Sequence, residues 1–366
     1  MKILSLKRFF CALFLISFVS FSAFSQDFDS DIDFDSTYTD DKTNPFTELG
    51  FHFSVEPLYF FEMGTLNEFV FSKDSENQKY KLSELNWNVN NHEIGMKAEF
   101  GWKWIGLDTS FSFGVPGDSG YMYDSDWMHS TNHSMKTNLS KSDEYMNEAK
   151  TFSIGLFGDF PVTPESSGSY FCASVIPSFK YDYSYYYFSG YNGAGWYGSS
   201  YSNNPNAIAY DDPLATYYKK GQLFGIDYSH EHHNLFFGLG VDLQVLKRLN
   251  IHFDYKFSCY TLVNSVDTHF TNDKRSTGSD YNDQMEDSFK TSRFFASLEY
   301  NFWDNFSIGT SYYYYHQPLT EGVTYTKSHT ATEYTKSNSA TSGCSAETHS
   351  FSVYIKYAMK KTPYFY

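Results

Sequence analysis

The chain has 366 residues, of which 43 are acidic and 27 are basic, and its formal charge is −16. This acidic balance argues against a nucleic-acid partner, because proteins that bind nucleic acids present clustered basic residues to the phosphates. Beyond the N-terminal region, no stretch reaches the roughly 18 consecutive apolar residues of a transmembrane helix. Aromatic residues nevertheless make up 21% of the chain, and Tyr and Trp concentrate at membrane–water interfaces.

Residues 1–25 have the features of a secretory signal peptide that is removed from the mature protein. A basic start is followed by an apolar run from Phe9 to Phe24, and the segment ends at Ser25 in a small-residue cleavage site. A membrane anchor is the weaker interpretation, because the apolar run is short and acidic sequence follows at once. Cleavage after Ser25 leaves 24 basic and 43 acidic residues, a formal charge of −19.

Residues 26–50 form an acidic segment in which aspartates alternate between positions 27 and 35. One interpretation is a calcium-binding arm, and the other is a solvated, flexible tail. The segment lacks the glycine and the terminal glutamate of a calcium loop, which favours the tail. Residues 360–366 are interpreted as a C-terminal extension.

From residue 51 to residue 359, apolar and polar residues alternate with a period of two, which is typical of β-strands. Because the apolar positions are rich in Tyr and Phe, we predict an all-β fold, a transmembrane antiparallel β-barrel of ten strands. The predicted strands lie at about 51–71, 80–103, 107–115, 151–160, 170–188, 221–245, 249–270, 287–303, 306–327 and 347–359.

Short turns alternate with long polar connections along the predicted strands. We therefore expect short periplasmic turns, long extracellular loops and a location in the bacterial outer membrane. A barrel of about ten strands has a lumen filled by side chains, so a diffusion porin is not expected. Three cysteines remain after Cys11 is removed, namely Cys172, Cys259 and Cys344. This odd number predicts no complete disulfide framework.

The predicted seventh strand carries Asp267-Thr268-His269 near its end. A carboxylate that orients an imidazole is the usual general-base unit. Counting by twos from Phe257, however, places Asp267 and His269 on the lipid-facing side. We therefore expect a β-bulge or a break between about residues 260 and 266 that turns them inward.

Two further motifs carry side chains that could act in catalysis or bind a metal. Asp124 and Asp126, in the sequence MYDSDWM at 122–128, point the same way on an extended chain. His230 and His232 could present two imidazoles to a metal, but such a site needs further ligands. We interpret the histidines as polar residues of the lumen or its rim, and we expect neither a metal nor a cofactor.

These motifs together resemble the omptins, a family of bacterial outer-membrane endopeptidases. The resemblance rests on GTL at 64–66, KLSELNW at 81–87, MYDSDWM at 122–128 and DTH at 267–269, and it runs from about Gly64 to Met359. It implies a ten-stranded barrel with an active site in a groove at the extracellular rim. It also implies peptide or protein substrates at the cell surface, contact with outer-membrane lipid, and a monomer.

The resemblance implies that Asp124, Asp126, Asp267 and His269 are catalytic. A water between Asp124 and a neutral His269 would attack the peptide carbonyl, with His269 as base. Asp267 would fix the imidazole ring, and Asp126 would help to polarise the water or stabilise developing charge. No covalent intermediate is implied.

Two departures from the family pattern concern ligand binding. Ser265 stands where the family has an acidic residue that holds a basic side chain of the substrate, and a second acidic residue of that pocket is matched by Glu68. Asp182 stands where the family binds lipopolysaccharide through arginine. The alternative to a protease is a non-catalytic barrel that acts as an adhesin or binds a surface ligand.

Overall fold

The computed structural model describes residues 50–74, 76–163, 171–245, 248–303 and 305–359. The predicted signal peptide, residues 26–49 of the acidic tail and the C-terminal extension at 360–366 lie outside the described residues, as do residues 164–168 of a predicted turn. No helix in the described part of the chain is long and apolar enough to cross a membrane.

Fourteen β-strands make up the regular structure of the described residues. Their bounds are β1 Phe51–Lys73, β2 Lys79–Trp102, β3 Ile105–Gly114, β4 Gly117–Asp126, β5 Asn138–Gly158, β6 Phe160–Pro161, β7 Phe171–Tyr197, β8 Thr216–Leu223, β9 Ile226–Val245, β10 Leu249–Phe270, β11 Gly278–Asp287, β12 Ser292–Trp303, β13 Phe306–Ser328 and β14 Thr335–Ala358.

The strands close into one antiparallel ring, which confirms the predicted fold class. Each long strand pairs with its neighbours in chain order, and β1 pairs with β14 to complete the ring. Strands β3 and β4 occupy one position between β2 and β5, while β11 and β12 occupy one position between β10 and β13. Counted this way, ten positions surround the lumen; β6 and β8 are additional short strands that pair with β7.

Strands occupy several segments that the sequence predicts mainly as loops, although strand extensions are expected within 116–150. Most of 116–150 forms β4 and the first half of β5, and the predicted Ser/Thr-rich loop before residue 347 is largely β14. Part of 271–285 likewise belongs to β11. The buried inner faces of these segments carry polar as well as apolar side chains, such as Ser140, Glu144 and Met146 of β5. No alternation of apolar and polar residues therefore marks them in the sequence.

A belt of exposed apolar side chains surrounds the half of the barrel that contains the short turns. Side chains such as Ile94, Phe113, Leu156, Leu239 and Val353 are more than half exposed. An outward apolar band of this kind is typical of membrane barrels. We call the end of the ring beyond this belt, where residues 127–137, 198–215 and 271–277 connect the strands, the loop end.

Ion pairs fill the lumen inside the belt. Lys180 donates to Asp108 at 2.5 Å, Lys97 to Glu99 at 2.6 Å, and Arg293 to Asp182. These pairs surround a cavity of about 450 Å³. Asp182 therefore points inward, which rules it out as a lipid-facing counterpart of the family's lipopolysaccharide-binding arginine.

An apolar plug closes the lumen between this cavity and the loop end. Trp87 is fully buried and stacks on Tyr228 at 5.2 Å and on Phe188 at 5.6 Å. Leu66 belongs to the same buried cluster. Glu62, Leu66 and Glu68 all lie on the inner face of β1, and Leu66 is part of the plug. The plug therefore separates Glu62, which lies in the lumen, from Glu68, which lies at the loop end.

Candidate active site

A β-bulge at Cys259 exchanges the inner and outer faces of β10, so that odd-numbered residues face inward after it. The pairing of β10 with β9 shifts between Ser258 and Tyr260. Before the bulge Asp254 and Ser258 are buried, and after it the buried positions are odd-numbered, including Ser265 and Asp267. The expected change of register is therefore present, just before the predicted interval.

The partner strand is interrupted at the same level, which holds the bulge in place. The amide of Ser258 donates to the carbonyl of Thr291 at 2.8 Å, and the amide of Phe289 donates to the carbonyl of Ser258 at 2.8 Å. Phe289 has a φ of 63°, the left-handed conformation that bulky residues seldom adopt. Cys259, like Cys172 and Cys344, is a free thiol.

Asp267 and His269 follow on the inner face of β10. The Nε2 atom of His269 lies 2.5 Å from Oδ2 of Asp267, and the ring packs edge-on against Tyr281. Asp267 is only 3% exposed, whereas the side chain of His269 is 41% exposed. With Nε2 bonded to the carboxylate, Nδ1 is the atom that can meet water or substrate.

Asp124 and Asp126 lie at the end of β4, between β2 and β5. Leu85 of β2 is opposite Asp124, and Asn138 of β5 is opposite Asp126. The side-chain amide of Asn138 donates to Oδ2 of Asp126 at 3.0 Å, while Thr137 bonds the Asp126 carbonyl at 3.1 Å. Strand pairing thus positions the backbone of both aspartates, and Asn138 holds the carboxyl group of Asp126 in place.

The Asp124–Asp126 pair and the Asp267–His269 pair lie close enough across the ring for charges in one pair to change pKa values in the other. Burial lowers the pKa of His269, but the charges of Asp267, Asp124 and Asp126 outweigh burial and raise this pKa to about 9. Burial and then the charge of Asp126 raise the pKa of Asp124 well above its usual value, and His269 acts in the opposite direction. The structure therefore brings all four predicted residues into one cluster, in which the ionisation of His269 and that of Asp124 affect each other.

Glu68 and Ser265 lie beside this cluster, together with Asp283, which the sequence did not single out. Glu68 of β1 and Asp283 of β11 form a hydrogen-bonded carboxyl pair next to Asp267. Asp283 is directly opposite Ser265 in the pairing of β10 with β11. Burial raises the pKa of Glu68 well above its usual value and that of Asp283 to about 6.

This acidic cluster lacks the cations that neutralise the lumen. One carboxyl oxygen each of Glu68, Asp124, Asp267 and Asp283 is buried and has no hydrogen-bond partner within the described residues. In the same part of the chain, no Lys or Arg forms an ion pair with any of the four. Buried carboxyl oxygens require donors, so the cluster is suited to a ligand that brings a cation or N–H groups.

Tyr197 and Tyr281 are further residues of the site that sequence reasoning missed. Burial and then the charges of Asp124 and Asp126 raise the pKa of Tyr197, which places it beside these carboxyl groups. Tyr281 contacts the ring of His269. With 33 tyrosines in the chain, the sequence contained no signal that separated these two from the rest.

His230 and His232 are buried inside the barrel. Their Nδ1 atoms lie 2.6 Å from the hydroxyl of Tyr228 and 3.1 Å from that of Tyr315, respectively. Among the residues that the structure covers, no group of three or more His, Cys, Asp or Glu could hold a metal ion. The pair thus forms part of the polar interior next to the plug.

Comparisons with known proteins agree with this fold. The model of the Omptin family matches residues 61–359. The outer membrane protease OmpT from Escherichia coli has a TM-score of 0.67 at 18% identity, over 84% of this chain and 97% of that chain.

Other solved structures match more weakly, and no curated protein matches the chain. The outer membrane protein OprG from Pseudomonas aeruginosa has a TM-score of 0.29 at 6% identity, over 85% of this chain and 96% of that chain. The translocator domain of NalP from Neisseria meningitidis has a TM-score of 0.30 at 8% identity, over 83% and 88% of the two chains. Because the family model covers well over half of its residues, the chain belongs to the omptin family.

Proposed function

We propose that this outer-membrane protease is an endopeptidase that activates a water between Asp124 and His269. The observation that carries the proposal is the convergence of Asp124 and Asp126 from β4 with Asp267 and His269 from β10. An imidazole held by one carboxylate and facing another is equipped to take a proton from water beside a peptide carbonyl.

Each step of the proposed reaction uses groups of this chain. The water transfers a proton to Nδ1 of neutral His269, and its oxygen adds to the carbonyl carbon. The resulting tetrahedral intermediate collapses when the C–N bond breaks and the imidazolium returns its proton to the leaving nitrogen. Asp124 holds the water by a hydrogen bond, and Asp126 helps to polarise it.

Asp267 has two roles in this mechanism. Its hydrogen bond to Nε2 fixes the orientation of the ring, and its charge stabilises the imidazolium that forms during attack. The same charge keeps His269 protonated in the free enzyme at neutral pH, since its pKa is raised to about 9. The reactive form with a neutral imidazole therefore becomes more abundant as the pH rises.

We propose that Glu68, Ser265 and Asp283 form the pocket for the substrate side chain next to the scissile bond. The resemblance placed Glu68 and Ser265 there, and the acid missing at position 265 is available from Asp283 across the strand pair. Two adjacent carboxyl groups without a protein cation suit a Lys or Arg side chain. Ser265 leaves room where the family has a longer acidic side chain.

We also propose that the loop end faces the extracellular medium, that the belt contacts outer-membrane lipid, and that the chain acts as a monomer without a cofactor. Short turns inside and long loops outside are the usual arrangement of such barrels. A site at the loop end then meets peptides and proteins at the cell surface.

The test incubates the refolded barrel with a mixed peptide library and compares it with two variants, Asp124→Asn and His269→Ala. We expect the wild type to cleave and both variants to lose cleavage. Asp273→Asn, which changes an exposed aspartate of the loop end, serves as the matched control and retains it. Equal cleavage by all four proteins would overturn the assignment of Asp124 and His269 as catalytic residues. Cleavage by none would favour a non-catalytic barrel that binds a surface ligand.

A further inference from the structure

The acidic site needs a hydrogen-bond donor for the oxygen that becomes negative during the proposed reaction. When water adds to the peptide carbonyl, negative charge develops on the carbonyl oxygen, and the carboxylates of the cluster repel it. In the imidazolium of His269, Nε2–H is bonded to Asp267 and Nδ1–H is directed to the leaving nitrogen. A further donor is therefore needed to stabilise the oxyanion.

Backbone amides of the site strands are not available for this role. Asp124 is paired on both sides, with β2 and with β5. Asp267 is likewise paired on both sides, with β9 and with β11. Strands that are paired on both edges use their N–H groups in the ladder, so a side chain has to supply the donor.

The side chain of Tyr197 reaches the site from the end of β7. Tyr197 lies opposite Asn138 in the pairing of β7 with β5, and directly opposed residues share one face of a sheet. Because the side-chain amide of Asn138 donates to Asp126, that face is the inner one. The phenol is hydrogen-bonded to Ser140, which lies directly opposite Asp124. The ring of Tyr197 therefore leans along the strands toward the level of Asp124.

The hydroxyl of Tyr197 is suited to donate a hydrogen bond. Burial and then the charges of Asp124 and Asp126 raise its pKa, so the hydroxyl keeps its proton at the pH of the reaction. Ser140 can donate to the phenol oxygen, which leaves the phenol O–H for a ligand. By contrast, the side-chain amide of Asn138 already donates to Asp126 at 3.0 Å.

Tyr281 is the other tyrosine of the site, and its hydroxyl leans in another direction. Tyr281 lies opposite Asp267, and its phenol is hydrogen-bonded to Ser279, which lies opposite His269. Ser279 is closer to the loop end, because β11 begins at Gly278. The phenol of Tyr281 therefore leans outward beside the imidazole, whereas that of Tyr197 leans inward on the side of the proposed water.

We propose that Tyr197 is a catalytic residue whose hydroxyl donates a hydrogen bond to the oxyanion formed from the scissile carbonyl. This inference rests on the proposed endopeptidase function and adds the group that stabilises the tetrahedral intermediate. As the water oxygen bonds to the carbonyl carbon, the π electrons of the C=O bond move to the carbonyl oxygen. The Tyr197 O–H bonds to this oxygen and keeps its proton. When the C–N bond breaks, the C=O bond forms again and the hydrogen bond weakens.

The kinetic test compares the wild type with Tyr197→Phe, which keeps the ring and removes the hydroxyl. We expect kcat on a cleaved peptide to fall about 10²-fold, the effect of one lost oxyanion donor. KM should change by less than about twofold, because the contact strengthens only in the transition state. Tyr217→Phe is the matched control and keeps full activity, since Tyr217 is 48% exposed and packs against Trp196 at 4.5 Å.

A second measurement separates a contact with the oxyanion from a structural role. In a phosphinic peptide, a tetrahedral phosphorus with an anionic oxygen replaces the scissile amide, so the compound resembles the intermediate. We expect its Ki to rise in Tyr197→Phe by about the factor by which kcat/KM falls, and to stay unchanged in Tyr217→Phe. A fall in kcat with an unchanged Ki would mean that Tyr197 acts only through the structure, and it would overturn the proposal.

The outcomes also separate this proposal from the endopeptidase function. If the wild type cleaves peptides and Tyr197→Phe cleaves them equally well, the Tyr197 proposal fails and the endopeptidase proposal stands. If Tyr281→Phe weakens binding of the phosphinic peptide and Tyr197→Phe does not, the donor is Tyr281 and the Tyr197 proposal again fails. A wild type that cleaves no peptide of the library overturns both proposals.

Discussion

The imidazole of His269 is bonded through Nε2 to Oδ2 of Asp267 at 2.5 Å, although the two residues lie on the same strand, two positions apart. Residues at this spacing share one face of a strand, so the pair is preformed by local geometry. The carboxylate of Asp267 also helps to raise the pKa of His269 to about 9. The orientation and the ionisation of His269, the proposed base, therefore depend on the same contact.

This contact predicts the pH dependence of the reaction. A raised pKa means that the imidazole is protonated below about pH 9, so kcat/KM of the wild type should rise with pH up to that value. Replacing Asp267 with Asn removes the charge, lowers the pKa of His269 and moves the rise to lower pH. We expect the plateau to fall about 10²- to 10⁴-fold, the usual contribution of positioned acid–base catalysis.

The measurement is the kcat/KM profile of both proteins between pH 5 and pH 10 on one peptide. A wild-type rise centred near 6.5, the ordinary value for histidine, would contradict the electrostatic account. An unshifted rise in Asp267→Asn would show that another group controls the ionisation.

The bulge at Cys259 yields a prediction about the chain's register. Deleting Cys259 removes the extra residue and turns the end of β10 so that Asp267 and His269 face outward. Cleavage should be lost, whereas Cys259→Ala keeps the register and should retain full activity. Cleavage is measured on refolded barrels whose strand content is checked by circular dichroism. An active deletion variant would show that the inward register does not depend on the bulge.

The sequence predicted this bulge only indirectly. Along the first half of β10, the alternation of apolar and polar residues assigns odd-numbered positions to the outer face. The proposed role of Asp267 and His269 requires odd-numbered positions on the inner face, so the register had to change between the two parts of the strand. Its position was not readable, because Cys259 suits either face. The strands of the apolar belt are predictable because contact with lipid imposes strict alternation of apolar and polar residues. Strand β4 and the first half of β14 lie beyond the belt, where nothing imposes this alternation, so the sequence predicts them as loops.

Asp283 should determine the preference for a basic side chain next to the scissile bond. Its pKa of about 6 means that the pocket gains negative charge as the pH rises through 6, so kcat/KM for peptides with Arg or Lys there should increase over that range. Asp283→Asn should lose about tenfold or more of the preference for Arg over its neutral isostere citrulline, the worth of one charged hydrogen bond. Asp280→Asn, which removes an aspartate paired with Lys327, is the control.

A preference for Arg that Asp283→Asn leaves intact would assign the pocket to other residues. The sequence did not identify Asp283 as a site residue, because it lies in a polar segment that contains no recognisable motif. Only the pairing of β10 with β11 places it opposite Ser265. Composition and residue spacing do not show which strands pair when apolar and polar residues alternate only weakly along them. The residues that such a pairing brings into the site could therefore not be predicted.

The ion pairs of the lumen should contribute strongly to stability, and Arg293 is the most informative position. It pairs with Asp182 and lies over the ring of Tyr313 at 4.8 Å, with its side chain 10% exposed. Arg293→Ala leaves a buried carboxylate without its cation, which should lower the free energy of unfolding by about 3–5 kcal/mol. Equilibrium unfolding in urea, followed by tryptophan fluorescence in lipid vesicles, measures the change.

Lys150→Ala is the matched control for this prediction. Lys150 also forms an ion pair, with Glu148 at 3.0 Å, but the two side chains are 37% and 49% exposed. Solvent screens such a pair, so its removal should change the free energy of unfolding by less than about 1 kcal/mol. A double variant, Arg293→Met with Asp182→Leu, removes both charges and should recover most of the lost stability, because the main cost of the single variant is the unpaired carboxylate. If the double variant is as unstable as Arg293→Ala, packing around Tyr313 and not charge pairing accounts for the role of Arg293.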